Sequence, residues 1–304
     1  MRLLRIWPPV AILVAGGAGG AAGAETPQPV TWAEIVAQPA PPPGERIAYG
    51  ADSLQFGELW VPEGEEPFPL VVLIHGGCWQ NAYGVDHVAP LAEALRGEGF
   101  ATWAIEYRRL GDPGGGWPGT FADAAQALDH VHALARERPL DPGRVVLMGH
   151  SAGGHLALWL ASRARWPDSG GFKPRGRVRV RGVVALAAIA DLAAYGAGSG
   201  PCNASVGPLM GGPPGDVPER YAAGDPMRLL PPEAPVRLLH GAADPIVPPA
   251  QAEAYARAAR AAGGDARLVP VKDAGHFDLI APFAPAWRTV LAQVREVSGD
   301  SRAE

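Results

Sequence analysis

Gly149-His150-Ser151-Ala152-Gly153 concentrates more chemistry than any other stretch of this 304-residue sequence. The pattern G-x-S-x-G fits a turn so tight that the serine hydroxyl stands clear of the chain, and side chains at 149 and 153 would collide there. The apolar run Val145-Val146-Leu147-Met148 precedes it directly and an Ala/Leu-rich stretch follows from Ala152, which predicts strand, turn and helix without a spacer. A serine hydroxyl is a weak nucleophile until a base takes its proton, and that base must be oriented by an acid. In this strand–turn–helix setting the chain order is serine, acid, histidine. His276, within Asp273-Ala274-Gly275-His276-Phe277, lies in a Gly-bearing loop between the last strand and the last helix and is the expected base. His240 closes an apolar strand and His155 points along the helix after Ser151, so both read as structural. Asp244, in His240-Gly241-Ala242-Ala243-Asp244-Pro245, is the expected acid, because loops at the carboxyl ends of parallel strands converge on a site. Asp191, which ends the preceding strand, is the alternative. Asp273 and Asp278 are too near His276 in sequence to meet its ring and read as solvated loop residues.

Acyl transfer also needs N–H donors aimed at a developing oxyanion. His75-Gly76-Gly77-Cys78-Trp79 follows the apolar run Leu70–Ile74, and the amides of Gly77 and Cys78, with that of Ala152, are the candidate donors. Tyr107 and Arg108, just past another strand end, are expected to pin that loop by hydrogen bonds. Trp79, Tyr83, Trp117 and Phe277 are candidates to wall a substrate pocket. Cys78 has no base placed beside it by motif and reads as a thiol or half of a disulfide. Cys78 and Cys202 could form one bridge, but spacing alone does not bring them together.

These residues need a frame. Tyr49 to Val61 predicts one or two antiparallel edge strands. Leu70–Ile74, Ala101–Ile105, Arg144–Gly149, Val178–Ile189, Val236–His240 and Arg267–Val271 predict buried strands. Between them, helical spacing predicts helices over 88–95, 121–135, 152–162, 250–262 and 283–294. Strands alternating with helices imply right-handed crossovers and a mostly parallel sheet covered on both faces. The alternation lapses over 191–232, where glycines and prolines recur, and an irregular insert is expected there as a lid or substrate wall.

A net charge of −5, from 26 basic and 31 acidic residues, argues against a nucleic-acid partner, and 47% hydrophobic residues exclude a disordered chain. The first 24 residues read as a signal peptide: Arg2 and Arg5, a short apolar stretch, then Ala22-Gly23-Ala24 as a cleavage signature. The apolar stretch is too short to span a bilayer. The expected divisions are therefore a signal peptide over 1–24, a Pro-rich arm over 25–45, a catalytic domain over 46–298 and a tail over 299–304, in a periplasmic or secreted protein.

Taken together, His75-Gly76-Gly77-Cys78-Trp79, Tyr107-Arg108, Gly149-His150-Ser151-Ala152-Gly153-Gly154-His155-Leu156-Ala157 and His240-Gly241-Ala242-Ala243-Asp244 resemble an α/β-hydrolase. Within that fold they resemble the kynurenine formamidase-like and hormone-sensitive-lipase-like esterases, over roughly residues 50–295. The resemblance implies a Ser-His-Asp hydrolase of small carboxylic esters or amides with no metal or organic cofactor. Lipase-like members carry a third glycine where this chain has Cys78 followed by Trp79, which is closer to the formamidase-like branch. An arylformamidase or other amidase is the nearest alternative. A dipeptidyl-peptidase-like enzyme would need an accessory domain for which there is no room, and a non-catalytic binding module would have no use for the intact Ser151, Asp244, His276 set.

Overall fold

The computed structural model describes residues 28–39, 41–167, 172 and 178–300. Eight strands form one sheet in the order β1-β2-β4-β3-β5-β6-β7-β8. A hairpin of β1 (Glu45–Ala48) and β2 (Phe56–Trp60) lies at one edge, antiparallel to β4 (Ala101–Ile105). From β4 onward every pairing is parallel, through β3 (Phe68–Ile74), β5 (Leu140–His150), β6 (Val180–Leu186), β7 (Val236–Gly241) and β8 (Ala266–Val271).

The continuous apolar runs in the sequence are explained by burial on both faces. All seven residues of β3 are buried, and their side chains alternate between two apolar layers. Leu70, Val72 and Ile74 pack in the same layer as residues of α3 (Gly119–Glu137), α4 (Ala152–Leu160) and α8 (Ala250–Ala261). Val71 and Leu73 share the other with α2 (Ala89–Gly97) and α9 (Ala286–Ser298). Fully burying one Val, Leu or Ile is worth about 1.5–3 kcal/mol, so the central strands anchor the register on which the site depends. The pairs Ile74↔Gly149, His150↔Leu186 and Gly241↔Val271 place the ends of five strands at one edge, where the loops carrying the candidate residues emerge. This is the α/β architecture expected from the alternation of strands and helices.

Two segments carry more local structure than their composition displays. The insert over 191–232 is built from short helices: α5 (Leu192–Gly196), α6 (Val206–Met210) and α7 (Pro218–Gly224). Within the Pro-rich arm, the described residues 28–39 include a docked element. Its α1 (Trp32–Val36) starts with a capping box, in which Thr31 and Glu34 each satisfy the other's backbone N–H. Its Ile35 is buried and its Val30 N–H donates to Asp278 Oδ2 at 3.0 Å. The signal peptide expected over 1–24 and residues 301–304 of the tail lie outside the described residues. Among the described residues no helix is long and apolar enough to cross a membrane.

Candidate active site

Ser151 sits between β5 and α4 with φ 56° and ψ −117°, backbone angles that cost a non-glycine residue about 1–3 kcal/mol unless the surroundings enforce them. Here they do. Ser151 N–H donates to Leu186 O at 2.8 Å, and Ser151 O accepts from His155 N at 3.0 Å. The flanking glycines are required by contact: a Cβ at Gly153 would stand 2.1 Å from Ile74 O and 2.4 Å from His75 O, both backbone atoms.

The loop after β7 brings Asp244 to the same edge. Its Oδ1 accepts from Ile246 N at 2.8 Å and Val247 N at 2.9 Å, and its Oδ2 accepts from His276 Nδ1 at 2.7 Å. Burial alone would raise the Asp244 pKa, but the bond to His276 and the two amides hold it below the ordinary carboxylate range. With Nδ1 donating to the carboxylate, Nε2 of His276 is the nitrogen left to accept a proton. The His276 ring packs against that of His150 with centroids 4.5 Å apart, and His150 Nε2 donates to His276 O at 3.0 Å. The loop after β8 is thereby tied to the residue preceding Ser151. Burial, followed by the neighbouring His276, pushes the His150 pKa well below the usual imidazole value, so this contact is made by a neutral ring. Among the described residues no hydrogen bond joins His276 Nε2 to Ser151 Oγ.

The remaining candidates are engaged in other bonds, although His240 Nε2 also lies 3.5 Å from Asp244 Oδ2. Asp191 caps α5 by accepting from Ala194 N at 2.8 Å. His155 donates to Gly224 O at 2.9 Å and His240 to Val247 O at 2.8 Å, both structural bonds. Asp273 is exposed, but Asp278, read as a solvated residue, is buried. Its Oδ2 accepts from Gly275 N at 2.9 Å as well as from Val30 N, so it stiffens the loop that carries His276.

The segment after β3 approaches the serine from the other side. A Cβ on Gly76 would lie 2.9 Å from His150 O and 3.2 Å from Ser151 Cβ, so the backbone here touches the elbow. Gly77 has φ 104°, which only glycine adopts freely, and a Cβ there would press into Tyr83. Among the described residues the amides of Gly77, Cys78 and Ala152 donate to no protein group. Tyr107 pins the loop, its hydroxyl donating to His75 O at 2.9 Å and its ring stacked on His75 at 4.5 Å. Arg108 does not; it is spent on Asp123, through Nε at 2.8 Å and Nη2 at 2.6 Å.

The residue that sequence reasoning missed is Glu106. Its Oε1 accepts from His75 Nε2 at 2.8 Å and Tyr107 N at 2.9 Å, and its Oε2 from Val85 N at 3.0 Å and Arg109 Nη1 at 3.1 Å. Burial would raise its pKa; His75, Arg109 and the Tyr107 amide outweigh that and hold it lowered. An acidic residue directly after the apolar run Ala101–Ile105 was the available signal.

Of the expected pocket walls, Trp79 is corrected. It is fully enclosed, edge-on to His155 at 5.4 Å, and fills core volume. Trp117 and Phe277 are both half-buried, and Phe277 lies beside His276. Trp117 packs on Phe121 at 4.9 Å, and Phe277 on His276 at 5.1 Å and on Trp32 of α1 at 5.6 Å. Cys78 and Cys202 are joined in a disulfide with Cα atoms 5.1 Å apart, which answers the question their spacing left open. Among the described residues no cluster of three or more His, Cys, Asp or Glu is arranged to hold a metal ion.

An eight-stranded, mostly parallel sheet with a strand–serine–helix elbow at its carboxyl edge defines an α/β-hydrolase. Solved structures agree on that fold. A truncated carbohydrate esterase from gut microbiota superposes with TM-score 0.71 at 22% identity, covering 84% of this chain and 95% of that one. Esterase B from Lactobacillus rhamnosis superposes with TM-score 0.73 at 20% identity, covering 84% of each. The BD-FAE family model matches residues 58–258, and the chain belongs to that family. Among curated proteins, the carboxylesterase NlhH of Mycobacterium tuberculosis is 34% identical over 113 residues, which is 37% of this chain and 34% of that protein. Esterase LipQ of the same organism is 28% identical over 202 residues, 64% of this chain and 46% of that protein. The matches thus span between about a third and a half of these relatives' own lengths. The likeness to α/β-hydrolase esterases expected from the motifs is borne out.

Proposed function

We propose that this chain is a serine hydrolase of small carboxylic esters. Ser151 Oγ attacks the ester carbonyl carbon while His276 Nε2 takes its proton, and Asp244 holds the imidazole in the competent tautomer and stabilises its charged form. The amides of Gly77, Cys78 and Ala152 receive the carbonyl oxygen as it becomes negative; one such donor is worth about 3–4 kcal/mol in comparable sites. The alcohol leaves with the proton from His276. Water, deprotonated by the same nitrogen, then hydrolyses the acyl-enzyme and frees Ser151. Trp117 and Phe277 are the residues we assign to the pocket wall.

One observation carries this reading: the 2.7 Å bond between Asp244 and His276, in a loop packed on the residue before Ser151. Esters are favoured over amides by the names of the curated relatives, which is support by likeness. We assign the protein to an exported, oxidising compartment, supported by the leader-like N-terminus and by a disulfide of the kind that persists in such compartments.

A fluorophosphonate probe should label wild-type protein and leave Ser151→Ala unlabelled, with p-nitrophenyl acetate turnover abolished in the same variant. Unlabelled wild-type protein would mark a non-catalytic module. Turnover confined to N-formylkynurenine, with esters untouched, would make it an amidase.

A further inference from the structure

We propose that the Cys78–Cys202 disulfide is a positioning element of the oxyanion loop: it holds the Cys78 amide in line with the reacting carbonyl by anchoring the loop to the 191–232 insert. This rests on the catalytic reading above and goes beyond it, because it gives the bridge a role in the rate.

The loop turns through three consecutive residues of positive φ, Gly77 at 104°, Cys78 at 54° and Trp79 at 57°, of which only the first is glycine. Two non-glycine residues in succession hold such angles only where the surroundings over-determine them. Hydrogen bonds fix the residues on either side. His75 is held by Glu106 and Tyr107; Trp79 O accepts from Leu110 N at 2.7 Å; and Gly77 O accepts from Gln80 N at 2.9 Å. Among the described residues no hydrogen bond engages the backbone of Cys78 itself. Its remaining anchor is covalent.

The far end of that anchor is firm. Cys202 is buried and leads into the 3-10 turn Asn203–Ser205 and then α6. Two further ties bind this part of the insert to the same sheet edge, Gln80 Nε2 to Ser205 Oγ at 2.8 Å and Trp117 N to Leu209 O at 2.7 Å. The bridge spans a sequence separation of 124, joining the loop after β3 to the segment after β6, which share no strand. A bridge that served folding alone could sit anywhere on the two segments. This one sits on the residue whose N–H has no protein acceptor and whose conformation is unfavourable.

The test compares wild type, Cys202→Ser and wild type reduced with dithiothreitol, which takes up the two electrons' worth of oxidation as its own cyclic disulfide and leaves two thiols. Cys202→Ser keeps Cys78 and its amide in the chain. We expect kcat to fall about tenfold or more with KM within about threefold, a loss smaller than the 10²–10³ that follows from deleting a donor outright. Inhibition by a trifluoromethyl ketone, which adds to the serine as a tetrahedral oxyanion, should weaken by the same factor as kcat/KM. Inhibition by the product acid should not change. The proposal is overturned by a wild-type kcat in either bridge-less form, by a change confined to KM, or by activity loss that follows far-UV ellipticity at the assay temperature, since the last means that the bridge supports folding only. If Ser151→Ala hydrolyses esters as well as wild type does, the catalytic reading itself has failed, whatever the bridge does.

Discussion

Asp244→Asn is the substitution whose consequence can be worked most completely from the geometry. One carboxylate oxygen accepts two backbone amides, Ile246 N and Val247 N, and the other accepts His276 Nδ1. An asparagine must choose which side receives its NH₂. Turned toward the backbone, the NH₂ would face two buried N–H donors and leave both unpaired, at about 1–3 kcal/mol each. The favoured orientation therefore keeps the oxygen on Ile246 and Val247 and aims the NH₂ at His276 Nδ1. An NH₂ can only donate, so Nδ1 becomes the acceptor and the ring proton moves to Nε2, the nitrogen that in the proposed mechanism takes the serine proton. Comparable triads lose roughly 10⁴ in kcat on this change, about 5.5 kcal/mol. Because the asparagine keeps both backbone bonds, thermal unfolding should move by no more than about 1 kcal/mol. Ester turnover by Asp244→Asn and Asp191→Asn, each beside its melting curve, is the assay. A kcat for Asp244→Asn within tenfold of wild type, or a crippled Asp191→Asn, would refute the reasoning.

Gly153→Ala forces a Cβ into the backbone oxygens of Ile74 and His75; we expect a destabilisation of about 3 kcal/mol or more by urea titration, together with loss of turnover. Glu106→Gln replaces an acceptor of four N–H groups by a side chain that must aim two hydrogens at one pair of them. About 3–5 kcal/mol of stability should be lost, and kcat should fall as the Gly77–Cys78 loop loosens. Asp225 is enclosed, and burial, with Asp191 nearby, raises its pKa from 3.8 to about 6. The folded state therefore binds the extra proton between those values, and this group's contribution falls as pH rises through that window. The stability gap between wild type and Asp225→Asn should shift by roughly 2 kcal/mol toward wild type between pH 7 and pH 4; a gap constant with pH would show that the carboxyl titrates normally.

What the sequence displayed was mostly what backbone register decides. The buried strands announce themselves as apolar runs because both of their faces are covered, and the elbow announces itself because only glycine fits at 149 and 153. Asp244 follows from the same logic, being in the loop that leaves a strand at the populated edge. Glu106 escaped because its importance is relational: its place directly after a buried strand was a local signal, but its role as the acceptor for a histidine 31 residues earlier shows only in the fold. Asp278 escaped similarly. Its partner Val30 lies 248 residues away, in the stretch read from its prolines as an arm.

The aromatic walls mark the boundary between the two kinds of information. A strand end fixes where a loop begins to within a residue, and hence which side chains are within reach of the site. Whether a given ring then faces substrate or core depends on how the loop turns and packs beyond the strand end, which composition does not display. Trp79, with φ 57°, turns inward onto His155, while Phe277, with φ −91°, stays half-buried between His276 and Trp32. Both are single aromatic residues next to a candidate site residue, and their side chains carry the same apolar signal. The positive φ of Trp79 belongs to the turn that leaves the Gly77 and Cys78 amides without a protein acceptor. The same turn thus carries two amides without a protein acceptor and, beside them, a fully buried tryptophan whose large apolar surface helps to hold the loop in place.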